Sequence, residues 1–483
     1  MGAIIFKMDV PIFGVNVPAP PIRIKKELLE EYARLYKGIR NREDTVSWRT
    51  LVVTCRKILG VSDPDCKPVG KSKLTQSKKL AIFLIKKTYL EPLYSEIMYA
   101  LGFRNINTKN NPDLDYLLFN GRHYPEPLLW SLADYLKEKG KRVAVVNPVG
   151  HYSDGQTRVV GPSVVFRKIN KIIILASTQS KFGGSVSVLS NVIRLLRNPK
   201  LAQKVKAVDV VIPMFGGSRG HRIGQSEDVG FEVMEAAFNA KLICLPTEDL
   251  QEKLSKEINI LPKYRFYSLD IHNSIYPEKI FKDEGFEFIS IDPMRKIIED
   301  MSIYLYQHRV QNIPIKVVAC DAGAIQRTEN FAKHLLLLLK SKNKQLQIIY
   351  LEKKRQQAGI VLSVKISKIE EWKKEGRKIT KSKVRIPQKS SLKESILIYS
   401  DDMIDTGGTA EKDLTYLSGI YPNCMLKIFV ATHPVLSRGL SAFKRIGADV
   451  YFVGNSLSVE GLSEQTNVQL VDLAPSIYEA IEK

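Results

Sequence analysis

The residues best suited to chemistry lie in one segment, Ile396–Ala410, which reads ILIYSDDMIDTGGTA. Its apolar start predicts a strand, the Thr-Gly-Gly-Thr run predicts a turn, and the residues that follow predict a helix. The backbone N–H groups of such a turn and of the helix N-terminus converge on one spot, which favours phosphate. Asp401 and Asp402 suit hydrogen bonds from vicinal ribose hydroxyls, while Thr406–Thr409 would hold a 5-phosphate. The pattern predicts a sugar-phosphate site, and a plain acidic turn that caps a helix is the alternative.

The composition of the whole chain is that of a large globular protein. Its 483 residues are 44% hydrophobic and 26% charged, which excludes disordered, collagen-like and small disulfide-stapled classes. No apolar run reaches the roughly 18 residues of a membrane span. The five cysteines are odd in number and form no CxxC pair, which fits a reduced compartment. We therefore expect a cytoplasmic protein with no membrane partner.

The net charge of +22 favours anionic ligands, namely phosphate esters, nucleic acid or an acidic surface. A lysine-rich proteome produces the same surplus, so the charge alone does not predict a nucleic-acid partner. Nucleic-acid binding by residues 1–112 is kept only as a minor alternative. A protein partner for that segment is a further possibility.

The pattern of hydrophobic residues along the chain predicts an N-terminal helical extension and two α/β domains. Residues 1–112 have helical spacing at 25–40 and 80–101, and no chemistry is visible there. From residue 113, β-branched runs alternate with helical stretches, which predicts two doubly wound parallel-sheet domains at 113–290 and 291–483. A basic insertion at 365–393 predicts a mobile, solvated loop or an extended hairpin. The candidate strands are Val143–Val146, Lys171–Leu175, Val208–Ile212, Lys241–Leu245, Phe266–Leu269, Lys316–Ala319, Gln347–Leu351, Ser395–Tyr399, Lys427–Ala431 and Asp449–Val453.

The segment DDMIDTGGT resembles the ribose-phosphate binding signature that type I phosphoribosyltransferases share with phosphoribosyl pyrophosphate (PRPP) synthetases. Other segments are similar to synthetase motifs and occur in that family's order, over about residues 115–483. A plain transferase would account for the first motif only. The further matching segments are Tyr152–Gln156, Val211–Arg222, Leu269–His272, Asp321–Arg327, Glu352–Ala358 and Ala431–His433.

The resemblance implies a fold of phosphoribosyltransferase type and a magnesium-dependent ribose-phosphate diphosphokinase. Such an enzyme transfers the β,γ-diphosphoryl group of ATP to the 1-hydroxyl of ribose 5-phosphate and yields PRPP and AMP. Charge develops on phosphoryl oxygens during this transfer, so the site needs cations and a metal. By resemblance, Lys353 and Arg355 form a mobile clamp, and His272 has a catalytic role. His272 and Asp321 are placed at Mg²⁺, and Asp321 is also a ribose contact.

The same resemblance distributes the remaining substrate contacts. Ribose 5-phosphate is held by Asp321 and by the signature residues Asp401, Asp402, Asp405, Thr406, Gly407, Gly408 and Thr409. Arg219 matches the ATP-binding arginine. In the family the loop that corresponds to Tyr152, Asp154 and Gln156 reaches the adenine of a neighbouring subunit. We therefore expect a homo-oligomer, a dimer or hexamer, with a shared active site.

Several positions depart from the family pattern. Gly220 and His221 replace the usual Gln-Asp, Ala324 replaces a glycine, and Gln156 replaces a glutamate. These departures leave nucleotide preference open. Gly220, His221 and Ala324 also favour one alternative, a catalytically weak or inactive regulatory subunit. A phosphoribosyltransferase that consumes PRPP is the second alternative.

Overall fold

The computed structural model describes two N-terminal strands and most of the chain from residue 113 onward. The described residues are 4–12, 15–24, 113–121, 127–146, 148–151, 157–159, 168–178, 186–197, 199–217, 237, 239–244, 262–271, 275–310, 312–339, 345–357, 360–376, 378–387 and 394–483. For those of them that fall in 4–24, 149–159 and 355–362, the description covers the backbone alone.

Strands and helices alternate along most of this chain. The strands are β1 (Ile4–Ile12), β2 (Val15–Ile24), β3 (Leu114–Asn120), β4 (Val143–Val146), β5 (Val149–His151), β6 (Thr157–Val159), β7 (Ile169–Leu175), β8 (Val205–Ile212), β9 (Lys263–Leu269), β10 (Glu287–Ile291), β11 (Ile315–Ala319), β12 (Gln345–Gln357), β13 (Ile360–Glu375), β14 (Lys378–Val384), β15 (Ser395–Ile404), β16 (Cys424–Pro434), β17 (Val450–Gly454) and β18 (Val468–Val471). The helices are α1 (Pro127–Glu138), α2 (Val186–Arg194), α3 (Pro199–Ala202), α4 (Ile275–Asp283), α5 (Met294–Gln307), α6 (Ile325–Leu338), α7 (Gly408–Ile420), α8 (Ser441–Ile446) and α9 (Ala474–Ile481).

Two large sheets organise the molecule. The first has the order β10-β9-β8-β7-β3-β4, and all its neighbours pair in parallel. The second has the order β14-β13-β12-β11-β15-β16-β17-β18 and is parallel from β12 to β18. Its central strands are continuous apolar runs buried on both faces, as parallel sheets covered by helices require. The expected α/β class with two parallel sheets is confirmed.

One hydrophobic core cluster contains residues of both sheets and of α1, α5, α6 and α9. The last helix, α9, packs against α1, with the rings of Tyr135 and Tyr478 in an edge contact at 5.5 Å. Buried Asp209 on β8 accepts from Arg265 at 2.9 Å, and Arg265 also donates to the Ile481 carbonyl at the end of α9. The C-terminal helix is thus anchored to the first sheet by a cation at its negative end.

The insertion at 365–393 forms an extended hairpin, the second of the two predicted possibilities, as far as the structure describes it. β13 pairs antiparallel with β12 and with β14, so the hairpin widens the second sheet. Charge and aromatic contacts support this addition, such as Lys381 Nζ at 3.9 Å from the Trp372 ring centre. Pairing with β13 therefore keeps β12 extended as a strand as far as Gln357.

One predicted strand, Lys241–Leu245, is wrong, because residues 239–244 are helical. Ala240, Ile243 and Cys244 are buried while Lys241 is exposed, a spacing that belongs to a helix face. A short apolar run does not by itself distinguish a buried strand from a helix.

The N-terminal extension is described only at β1 and β2, which pair antiparallel. The helices predicted at 25–40 and 80–101 lie outside the described residues. Within the part of the chain that the structure describes, no helix is long and apolar enough to cross a membrane.

Candidate functional site

The predicted strand-turn-helix is present at the end of β15. This strand is buried along nearly its whole length, and α7 begins at Gly408. Gly407 is the N-cap residue with a φ of 77°, and a Cβ there would lie 2.7 Å from Ile446 Cγ1. Both the left-handed backbone and the close approach of α8 therefore require glycine at this position. Residues 405–409 are half-buried, so the turn is accessible.

The turn is braced from the next loop. Asp405 Oδ1 accepts from the backbone N–H of Ser437, 3.1 Å away, and Leu436 N donates to the Ile404 carbonyl. Part of the Asp405 carboxylate thus holds the loop after β16 in place. These contacts fix the chain just before the Thr-Gly-Gly-Thr run.

Asp401 and Asp402 lie where β15 approaches the turn. Asp402 is 3% exposed, and its backbone N–H donates to Asp401 Oδ1 at 2.9 Å. Burial and the neighbouring Asp402 carboxylate raise the pKa of Asp401 well above its ordinary value, while Arg327 opposes the rise. The paired carboxylates therefore need a cation or hydrogen-bond donors from a ligand to carry their charge together.

Arg327 supplies that cation and connects the two sheets. Its Nε lies 3.1 Å from Asp270 Oδ1, and Thr432 Oγ1 donates to Asp270 Oδ2 at 2.7 Å. Burial acts to lower the pKa of Arg327, but Asp270 and Asp402 raise it and the net direction is upward. Asp270 follows β9 of the first sheet with a φ of 36°, a strained conformation for a non-glycine residue. The acidic end of the site is thus tied to the first sheet.

Asp321 lies at the end of β11, beside β15. Its Oδ1 accepts from the backbone N–H of Ala324, so it caps the short 3₁₀ turn that leads into α6. The preceding thiol reports its surroundings: burial raises the pKa of Cys320, and Asp401 and Asp321 raise it further. Asp321 and Asp401 thus lie towards the carboxyl ends of the neighbouring parallel strands β11 and β15.

Lys353 lies in β12 with its side chain turned inward. Its Nζ is 2.7 Å from Asp413 Oδ2 of α7, and the side chains are only 2% and 0% exposed. At this position the chain is a strand, because β12 runs to Gln357 and pairs with β13. The backbone of Arg355 belongs to the same strand, and its side chain lies outside the described residues.

Comparison with known proteins gives a structural match but no sequence match. No protein-family model matches the chain, and no curated protein matches it in sequence. A search of solved structures finds the crystal structure of phosphoribosylpyrophosphate synthetase from Mycobacterium smegmatis, with a TM-score of 0.51 and 19% sequence identity. The match covers 76% of this chain and 98% of that chain. The chain has a PRPP synthetase-like fold.

Arg445 was not identified from the sequence, although it lies against the turn of this PRPP synthetase-like fold. A Cβ on Gly408 would be 3.1 Å from Arg445 Nη2, and Arg445 Nε donates to Glu411 Oε2 at 2.6 Å. It extends from α8, outside every quoted motif, so only the packing of α8 on α7 reveals it. A guanidinium at this position adds positive charge beside the predicted phosphate site.

The structure does not describe the remaining predicted site residues. His272, Arg219, Tyr152, Asp154 and Gln156 lie outside the described residues, as do the divergent Gly220 and His221. Across the described part of the chain, no three His, Cys, Asp or Glu side chains are grouped closely enough to hold a metal ion. The predicted magnesium pair of His272 and Asp321 is therefore described at Asp321 alone.

Proposed function

We propose that the protein is a ribose-phosphate diphosphokinase, which transfers the β,γ-diphosphoryl group of ATP to the 1-hydroxyl of ribose 5-phosphate and releases PRPP and AMP. One observation carries the proposal: an accessible Thr-Gly-Gly-Thr turn that follows paired aspartates on the same strand, at the carboxyl edge of a parallel sheet. Ligands of open α/β sheets bind at this edge. The PRPP synthetase-like fold supports the same function.

The proposed roles follow from charge and position. The turn at 406–409 binds the 5-phosphate through backbone N–H groups, with Arg445 beside it. Asp401 is half-buried and accepts hydrogen bonds from ribose hydroxyls. Lys353 and Arg355 stabilise charge on the transferred diphosphoryl group, and Arg219 with the loop at 152–156 binds ATP.

The half-exposed carboxylate of Asp321, after the end of β11, is compatible with Mg²⁺. This ion prefers oxygen ligands and commonly uses one or two carboxylates together with substrate phosphates. Asp321 would hold it, with His272 acting through water or phosphate. When bound, the ion would neutralise charge on the nucleotide phosphates.

A product assay tests the proposal directly. The full chain is incubated with ATP, Mg²⁺ and ribose 5-phosphate, and phosphorus NMR follows the products. We expect PRPP and AMP in equal amounts, formed only when ribose 5-phosphate is present. Formation of ADP or of free phosphate instead would contradict the proposal. A monomer of full activity would contradict the shared site at Tyr152–Gln156 but not the reaction.

A second candidate is a catalytically weak or inactive regulatory subunit that assembles with an active synthetase. The observation that favours it is the buried position of Lys353, which pairs with Asp413 at 2.7 Å. The outcome that selects this candidate is no turnover by the pure chain together with tight co-purification with an active synthetase. Release of pyrophosphate from PRPP that depends on a nucleobase would instead select a phosphoribosyltransferase.

A further inference from the structure

The contact between Lys353 and Asp413 has no counterpart among the motifs that pointed to the site. Asp413 Oδ2 lies 2.7 Å from Lys353 Nζ and also accepts from the Tyr399 hydroxyl at 2.7 Å. The three side chains come from β12, α7 and β15, and the Lys353 and Asp413 side chains are almost or completely inaccessible to solvent. This is a buried, three-element cluster rather than a surface ion pair.

The charges in this cluster depend on each other. Burial raises the pKa of Asp413, while Lys353 and Tyr399 lower it. Asp413 Oδ1 has no hydrogen-bond partner within the described part of the chain. A buried carboxylate is costly unless a cation compensates it, so Asp413 has a strong preference to keep the ammonium close.

The cluster also lies about one helical turn along α7 from the proposed substrate turn. Asp413 follows Thr409 by four residues in the register of α7, and side chains so spaced on a helix are about 5–6 Å apart. Lys353 therefore holds its charge roughly one helical turn below the place where a phosphate would bind. At Lys353 the β12 backbone is paired with Val364 of β13, so the ammonium can reach that place only by a change of side-chain rotamer.

We propose that Asp413 is a positioning residue that holds Lys353 beneath the turn until a diphosphate competes for its ammonium. The consequence for catalysis rests on the proposed function, because it takes Lys353 as the group that covers the transferred phosphates. A diphosphate carries more than one negative charge and can replace the single carboxylate as the partner of Lys353. An isolated anion of one charge competes less well. The site thus selects for multiply charged phosphates before the lysine is released.

Amine labelling of the full chain tests the holding role without any assay of turnover. A low dose of an acetylating reagent is followed by peptide mass spectrometry, and labelling of Lys353 is divided by labelling of Lys354. Lys354 is the next residue on the same strand and is exposed, so it is an internal reference. We expect Lys353 to be protected in the native chain and the ratio to rise at least about tenfold in Asp413→Asn.

Two further variants serve as controls for the labelling experiment. Tyr399→Phe keeps the ion pair and removes one neutral hydrogen bond, so the ratio should rise by only about twofold to threefold. Glu329→Gln removes a carboxylate that pairs with Lys381 and should leave the ratio unchanged. An unchanged ratio in both Asp413→Asn and Tyr399→Phe overturns the holding role. If Asp413→Asn does not fold, Tyr399→Phe decides alone. A labelling ratio in Tyr399→Phe equal to that of the native chain then overturns the holding role.

Calorimetric binding of inorganic pyrophosphate separates this inference from the proposed function. We expect Asp413→Asn to bind pyrophosphate about tenfold more tightly than the native chain, and Lys353→Met to bind it more weakly. In the double variant Lys353→Met with Asp413→Asn, the gain from Asp413→Asn should disappear. Weaker binding by Asp413→Asn overturns the proposal. Labelling that changes as expected while no variant binds pyrophosphate supports the holding role and contradicts the proposed function.

Discussion

The glycine turn after β15 and the lysine of β12 lie in neighbouring parts of the second sheet, but they are held in different ways. The turn presents backbone N–H groups fixed by Gly407 and by the packing of α8, and it is half exposed. Lys353 is almost fully buried and paired with Asp413. The first region has its conformation without a ligand, whereas under the proposed function Lys353 exchanges one anion for another. Backbone recognition thus needs only a local conformation, while the side-chain charge depends on a partner that is distant in the sequence.

The sharpest test of the preformed region is Gly407→Val. Its φ of 77° and the 2.7 Å approach of Ile446 leave no room for a β-branched side chain, so the turn must rearrange. We expect loss of ribose 5-phosphate binding by at least about a hundredfold and a lower stability by roughly 2–4 kcal/mol. Calorimetry and urea unfolding measure the two effects.

Gly419→Ala is the matched control on the same helix. No atom lies within 4 Å of its added Cβ, so this change should leave binding unaltered and stabilise α7 by about 0.5–1 kcal/mol. Equal binding by Gly407→Val and the native chain would show that the turn does not hold the phosphate.

The buried region is tested by Lys353→Ala, for which we expect two effects. Turnover should fall by about a hundredfold or more while the KM for ribose 5-phosphate changes much less, because the lysine acts mainly in the transition state. Stability should fall by roughly 3–5 kcal/mol, because Asp413 loses its cation. Lys354→Ala, at an exposed position of the same strand, should change neither quantity. A higher KM for ribose 5-phosphate with unchanged turnover would instead show that Lys353 contributes to ground-state binding.

Arg445→Met sharpens the comparison on the side of the turn. Its guanidinium lies against Gly408, so its loss should weaken ribose 5-phosphate binding by about tenfold without affecting ATP. The neighbouring Lys444 is exposed on the same helix, and Lys444→Met should bind as the native chain does. Identical affinities for the two variants would limit Arg445 to its contact with Glu411.

The smallest expected effect concerns the pH dependence of stability. The folded protein raises the pKa of Asp401 above its ordinary value of 3.8, so the folded state favours the protonated form. Its charged form therefore destabilises the fold above the folded-state pKa, and this cost diminishes as pH falls towards 3.8. We expect Asp401→Asn to be more stable than the native chain at neutral pH, with the gain smaller at pH about 4.5. Urea unfolding at both pH values measures it, and an equal gain at both would contradict a raised pKa for Asp401.

The amount of structure that could be predicted from sequence differs along the chain for physical reasons. The β15 turn was predictable because an apolar run, two glycines and cap residues act within about ten positions. Lys241–Leu245 was not, because its apolar residues fit a strand or a buried helix equally well until Ile243 and Cys244 are placed in a core. The hairpin at 365–393 was one of two possibilities, since its lysines suit solvent in either form, and pairing with β12 decided between them.

The sequence by itself determined the α/β class, the two parallel sheets, and the order strand, aspartate pair, glycine turn and helix, because these depend on periodicity and on backbone preferences of neighbouring residues. Only the tertiary structure decided which partner each charge has. Lys353 meets Asp413, Arg327 meets Asp270, and Arg445 meets the Gly408 turn, all across different elements. The physical reason is that a charge in a low-dielectric interior is governed by whichever groups packing brings within a few ångströms, and sequence separation carries no information about that distance.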